Sequence, residues 1–433
     1  MKILLIGNGF DLEHRLPTTY KNFLDFCEKV KDIYSQPFTN ESARLNIYKT
    51  SLDNWIVDDY IKDQLLNAFK SRSSIRCTNR PRHLKIVTSN EILNELYPFI
   101  ETNAWLEYFF KQHSYLDAAQ KINWIDFESE ISQVIQALSS IRSKIKNKNN
   151  SAITSNEVSI IKSICNTSPF SINELEDINK LDKFINFLDG DLEALIRALE
   201  IYIAAFVHNI DITHISSDIK DLAIDRVLSF NYSDTYERVY GTDKKIIYDY
   251  IHGKADITKN IKTCNLVLGI DEFLPDNQKD EELDCLSFKK YYQRIYKSTD
   301  NAYLDWADNI REEYNNYLKS FDLSRNRIAD PISYPPKLYH VKTGPSTITY
   351  PQHTLYVFGH SLDVTDKDIL KLFICNNNVQ TKIFYPRKNE NDKTALGKLI
   401  KNLVRIIGQD ELIRRTGGTH KTIEFIPQTL SQN

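Results

Sequence analysis

The sequence predicts an α/β protein: a parallel sheet carrying a large helical insertion. Three observations point there. A short apolar run, KILLI (residues 2–6), opens the chain and is stopped at Gly7. Residues 31–221 then show only helical spacing. Short apolar runs return after Arg226 and alternate with helical patterns to the end of the chain, the pattern of strands linked by crossover helices.

Residues 2–6 read as a buried first strand. Thr18 and Thr19 follow Pro17, and Tyr20, Phe23, Leu24, Phe26 and Cys27 recur at helical spacing. A helix is expected from about residue 19, with a threonine as its N-cap. Further helical periodicity covers 53–70, 89–112, 123–143, 172–188 and 190–208, with no strand expected among them. Strands are expected at RVLSF (226–230), KIIYDYIHG (245–253), NLVLGI (265–270), TLYVFGHS (354–361), TKIFYP (381–386) and KTIEFIP (421–427). Helical patterns lie between some of them, at 287–318, 365–375 and 392–406. The division that follows is a Rossmann-like nucleotide-binding domain from 1–30 and 222–433, and a helical insertion domain at 31–221.

The chain has 433 residues and a net charge of −3, which gives no steer toward nucleic acid or a membrane surface. None of the six cysteines sits in a C-x-x-C pair, so no metal site is expected. Scattered cysteines suggest reduced thiols and a cytoplasmic setting. The apolar start is too short for a signal peptide, and no stretch of about 18 apolar residues suggests a membrane span. A homo-oligomer stays open. With only 12 glycines in the chain, each glycine pair carries information.

Four strand ends carry candidate chemistry. Gly7-Asn8-Gly9 is either a tight strand-to-helix turn or a place where backbone amides approach a phosphate. Leu12 stands where the dehydrogenase fingerprint G-x-G-x-x-G has its third glycine, which weakens a hydride-transfer reading. In LSFNYSDTYERVY (228–240), Asp234 and Glu237 fit a helix capping box, which leaves Asn231 unexplained at the edge where such sheets bind ligands. His252-Gly253 ends the next run; a lone histidine is more often a packing residue, yet here it can serve as a general base. Gly359-His360-Ser361 ends another, followed by Thr365 and Asp368 as a second capping box.

Three other stretches read as ordinary structure. Trp124, Phe127 and Ile131 fall on one helical face, with Asp126 and Glu130 on another. Lys289, Lys290 and Arg294 beside tyrosines fit a solvated helix face better than a polyphosphate contact. Arg72, Arg76, Arg80, Arg82, His83 and Lys85 fit a loop surface better than a nucleic-acid contact.

The segments LLIGNGFDLEHRLPTTYKNF, NWIDFESEI, LSFNYSDTYER, IHGKA, LVLGID and YVFGHSLDVTDKDIL resemble the AbiH family of phage abortive-infection proteins, in the family's order. A more distant resemblance is to sirtuins and sirtuin-like NAD-cleaving defence domains. Their pattern of G-x-G, a proline loop, an asparagine ending a strand, a histidine-glycine and a late Gly-x-Ser matches Gly7-x-Gly9, Pro17, Asn231, His252-Gly253 and Gly359-x-Ser361. Two positions depart from it. Ser233 stands where the pattern has an aspartate, two residues after the asparagine. Asp11 follows Phe10 where the pattern has a small residue or serine. The zinc-binding cysteines of true sirtuins are also missing, which argues against protein deacetylation.

The resemblance implies an abortive-infection protein that hydrolyses NAD+ at the nicotinamide–ribose bond. Asn231 would position the ribose and the attacking water, and His252 would be the general base. Gly7, Asn8, Gly9, Asp11, Pro17, Asp234, Gly253, Gly359 and Ser361 would contact the nucleotide, and a phage-derived trigger is a candidate partner. The alternative is a module that senses a nucleotide or phage product and acts without turnover.

Overall fold

A computed structural model of the chain describes residues 1–35, 41–76, 84–118, 126–147, 154–241, 245–271, 283–325, 341–343, 346–348, 350–418 and 421–430. Trp124, Arg80, Arg82 and His83 lie outside the described residues. Chain contacts divide the protein into two units. The first comprises Met1–Arg15, Ile212–Ile251 and Thr299–Asn433; the second comprises Leu16–Asp211 and His252–Ser298.

The first unit is built on a six-stranded parallel sheet: β1 (Lys2–Ile6), β2 (Arg226–Ser229), β3 (Ile247–Tyr250), β4 (His353–Phe358), β5 (Val379–Tyr385) and β6 (Ile423–Pro427). Their spatial order is β6-β5-β4-β1-β2-β3. This is the 3-2-1-4-5-6 arrangement of Rossmann sheets, so the fold is Rossmann-like, and the order reverses between β1 and β4. All six carboxyl ends emerge along one edge.

Both faces of the sheet are covered, which is why its strands read as continuous apolar runs. Ile3 and Leu5 of β1 face one core with Leu228, Leu355, Val357, Ile383 and Ile423, packed under Trp306, Ile310, Phe373 and Leu403 from helices. Leu4 and Ile6 face the other with Val227, Tyr356 and Phe358, under Phe10, Ile219 and Tyr236. The alternation along β1 follows from the two-residue period of a strand. Each large apolar side chain sealed this way contributes about 1.5–3 kcal/mol. Asp249 in β3 is fully buried, and its Oδ2 accepts a hydrogen bond from the Tyr303 amide at 2.7 Å, in the first turn of the helix Ala302–Arg325.

The second unit is mainly helical. The helix Tyr20–Tyr34 is capped by Thr19 in a reciprocal box with Asn22, the threonine cap expected from the sequence. Its buried face sets Phe23 and Phe26 against Tyr202, and Phe26 against Phe206. Those contacts place residues 16–30 in this unit, a division different from the expected boundary at 30. Tyr202–Val207 widens into a π-helical stretch that continues the helix Ile178–Ile201; the sequence suggested two separate helices there.

Five more expectations change. Ser73–Arg76 and Leu84–Val87 form a two-stranded antiparallel sheet inside the block read as purely helical. The expected strand at 265–270 joins no sheet. Gln293 instead presents its side-chain amide to Leu268, accepting from its N–H and donating to its C=O, both at 3.0 Å, so one side chain replaces a neighbouring strand. The single helix expected over 287–318 breaks into Lys290–Tyr296 and Ala302–Arg325 around Ser298, which has φ of 51°. Lys290 is buried and paired with Glu128 at 2.7 Å rather than solvated. Arg72 is likewise buried, with Nη2 2.9 Å from Glu41 and its guanidinium over the Phe69 ring.

At the reversal of strand order, backbone packs on backbone. Gly9 N–H donates to Gly359 C=O at 2.8 Å, and Gly7 N–H to Phe358 C=O at 3.3 Å. A Cβ on Gly359 would lie 2.1 Å from the Phe10 nitrogen and 2.4 Å from the Gly9 carbonyl carbon, and Gly359 has φ of 68°. Gly359→Ala should therefore lose on the order of 3 kcal/mol or more of stability. Gly397→Ala, at a helical position with open space around it, should gain up to about 1 kcal/mol. Thermal denaturation of the two variants checks this; a Gly359→Ala melt matching the parent would refute the close packing.

Candidate functional site

The carboxyl edge of the first unit brings together the ends of β1, β2 and β4. After β1 the chain turns at once into the short helix Asn8–Glu13. The amides there are committed: those of Gly7 and Gly9 to the β4 end, and that of Phe10 to the Gly7 carbonyl at 2.8 Å. The first task of the two glycines is thus to let β4's loop lie against β1's turn.

Asn231, just beyond β2, is 5% exposed and donates from Nδ2 to the Gly7 carbonyl at 3.0 Å. That bond gives Asn231 a local task the sequence did not reveal: it ties the ends of β1 and β2. Two residues on, Ser233 Oγ donates to Asp11 Oδ2 at 2.6 Å, and Thr235 Oγ1 donates to Ser233 Oγ at 3.0 Å. Asp11 is 2% exposed, and among the described residues its Oδ1 has no hydrogen-bond partner. Burial pushes its carboxyl up to about 6, further raised by the charge of Asp234 and pulled back by Ser233, Thr235 and Asn231. A carboxyl tuned toward neutrality at a sheet's carboxyl edge is the kind of group that functional sites contain.

Asp234 holds the N-cap position of the helix Thr235–Tyr240, but the expected box with Glu237 does not close. Glu237 Oε1 instead accepts from the Tyr250 hydroxyl at 2.8 Å. Beyond β4, His360 is buried with its ring 4.4 Å from Phe230. Its Nδ1 accepts from the Leu362 amide at 2.9 Å, which leaves Nε2 as the N–H facing Asp366 at 3.4 Å. Ser361 is exposed, and its carbonyl accepts from Asn402. The cap downstream is Asp363, which accepts from the Thr365 amide, in place of the expected Thr365–Asp368 box.

Pro17, His252 and Gly253 belong to the second unit. The Pro17 carbonyl accepts from the Tyr202 hydroxyl at 2.8 Å. His252 is buried, and its carbonyl accepts from the Val267 amide at 2.9 Å. Gly253 has φ of 81°, and a Cβ there would meet the Asn265 carbonyl at 2.2 Å. In the first unit, then, the structure gathers Gly7, Gly9, Asp11, Asn231, Gly359 and the Asp234 loop. Among the described residues no group of three His, Cys, Asp or Glu side chains forms a metal-holding cluster, and no helix is long and apolar enough to cross a membrane.

A family model described as bacteriophage abortive infection AbiH matches residues 3–385, from β1 through the last residue of β5. The chain belongs to the AbiH family. Membership assigns this AbiH chain to phage abortive infection. No curated protein and no solved structure gives a significant match.

Sequence reasoning missed the Asp11–Ser233 pair and a second polar contact beside it. His14 Nδ1 donates to the Phe10 carbonyl, which leaves Nε2 of the neutral ring to accept from the Tyr240 hydroxyl at 2.7 Å, and that hydroxyl in turn accepts from the Ser216 amide. Burial holds His14 below its ordinary value. The available signal was that Asp11 and Ser233 both break the sirtuin-like pattern.

Asp11 makes stability depend on pH. Its folded value near 6 lies above an ordinary 3.8, so the folded state binds more protons between the two, and stability falls as pH rises through that window. The cost at neutral pH is roughly 3 kcal/mol. Asp11→Asn keeps an acceptor for Ser233 without the charge. It should melt higher than the parent above pH 6, and the advantage should vanish below pH 4. A difference between the two melting curves that is flat with pH would refute this.

Proposed function

We propose that this AbiH protein acts in abortive infection by hydrolysing NAD+ at the nicotinamide–ribose bond. The observation that carries the reading is the site's position: Asn231 and the Asp11–Ser233 pair stand at the carboxyl edge, beside the reversal of strand order where sheets of this order take nucleotides. The two positions that depart from the sirtuin-like pattern, Asp11 and Ser233, are hydrogen-bonded to each other at that edge.

When the glycosidic bond breaks, its electron pair stays on the nicotinamide nitrogen and cancels that ring's positive charge. The ribose is left as an oxocarbenium-like centre, which water attacks. The protein's work is to hold the ribose, place the water and receive its proton. In this reading Asn231 does the first two and His252 the third, as the sirtuin-like pattern implies. The nucleotide's phosphates do not fall to the amides of Gly7 and Gly9, which are already committed. Asn8, Pro17, Asp234, Gly253 and Ser361 remain candidate contacts.

Incubating the purified protein with NAD+ and separating the products should yield nicotinamide and ADP-ribose. His252→Ala and Asn231→Ala should lose turnover by on the order of a hundredfold to ten-thousandfold while remaining folded, and should lose phage protection with it. If the parent protects cells whose NAD+ stays undiminished during infection, the hydrolase reading falls and a nucleotide-sensing module replaces it.

A further inference from the structure

Ser233 has an unequal hydrogen-bonding capacity left for a ligand. A serine hydroxyl offers one donor and two acceptor lone pairs. Its proton is spent on Asp11 Oδ2 at 2.6 Å, and one lone pair is spent on the Thr235 hydroxyl at 3.0 Å. One lone pair remains. Ser233 is also the most exposed member of the cluster, at 8% against 5% for Asn231, 2% for Asp11 and 1% for Thr235. All four members are buried, and Ser233 is the least completely covered.

We propose that Ser233 is a binding residue that accepts a hydrogen bond from a ribose hydroxyl, with Asp11 fixing it as an acceptor. The assignment rests on the NAD+ reading for the identity of the ligand. Its chemistry excludes phosphate at this point: a phosphate oxygen needs a donor, and Ser233 has none left. A sugar hydroxyl supplies the donor the geometry calls for. The carboxylate strengthens the acceptor as well, because hydrogen bonds in series polarise one another in a buried setting. Asn231, two residues earlier on the same strand end, would bracket the same sugar.

The arrangement depends on Asp11 being ionised. Protonated, Asp11 can donate to Ser233 Oγ, fill the last lone pair and free the serine's proton, turning an acceptor into a donor. The other charged group acting on Asp11 is Asp234.

Calorimetry on the full chain with ADP-ribose and with ADP reads this without turnover, since ADP lacks the ribose in question. The parent should prefer ADP-ribose, and Ser233→Ala should lose about tenfold for ADP-ribose, the worth of one charge-supported hydrogen bond, with ADP affinity unchanged. The parent's preference should weaken as pH falls through about 6, and Asp11→Asn should abolish that dependence; this second variant decides the matter should Ser233→Ala fail to fold. Parent-like ADP-ribose affinity in Ser233→Ala, an equal loss for ADP, or an unaltered pH dependence in Asp11→Asn overturns the assignment and leaves the hydrolase reading standing. If the parent binds neither compound and leaves NAD+ intact, both fall together.

Discussion

The first unit depends on one approach of backbone to backbone. Gly9 and Gly359 share a 2.8 Å hydrogen bond at the place where the strand order reverses, with no side chain between them. A reversal point in an open sheet ordinarily leaves a crevice, because the loops on its two sides run off in opposite directions. Here glycine at three positions lets the β1 turn and the β4 loop meet backbone to backbone at its base. Everything else at the edge is arranged around that contact. Asn231 fastens β2 to the same turn through the Gly7 carbonyl, and the Asp11 carboxylate, carried by the short helix the turn begins, reaches Ser233 beyond β2.

The sheet was largely legible in the sequence because it is buried on both faces. Such strands become short apolar runs with sharp ends, and all six were visible as runs near their observed positions. The same signal misled at 265–270, where Leu266, Val267 and Leu268 are fully buried yet belong to none of the sheets. Burial makes a run apolar; it does not say whether a strand or the amide of Gln293 satisfies its backbone. The antiparallel pair Ser73–Arg76 and Leu84–Val87 was illegible for the opposite reason. Ser73, Ser74 and Ile75 are exposed and lack an apolar alternation, so nothing distinguishes them from a loop.

The site was legible by position and not by partnership. Asn231 stood out as a polar residue where a strand stops, and the family's motifs include the ends of β1, β2 and β4, which the sheet brings to one edge. What each side chain touches was hidden, because Asp11 and Ser233 are far apart in the chain and each taken alone looks like a substitution away from a pattern. Their bond turns two departures into one feature. Capping boxes were over-read on the same principle: Glu237 and Asp368 have the right spacing, but spacing offers an interaction that a better partner, such as the Tyr250 hydroxyl for Glu237, can take.

The interrupted course of the chain has a consequence for synthesis. Lys2 pairs with Thr354, and Ile3 with Arg226, so β1 leaves the ribosome long before either neighbour exists. At roughly 5–20 residues per second, the wait for β4 is on the order of 20–70 s. The second unit's first segment, Leu16–Asp211, is complete before β2 appears, while β1 remains a lone apolar ribbon. Non-local pairing of this kind is slow and exposes hydrophobic surface. The glycine contact closes only when residue 359 has emerged, so a nascent chain carries no finished edge.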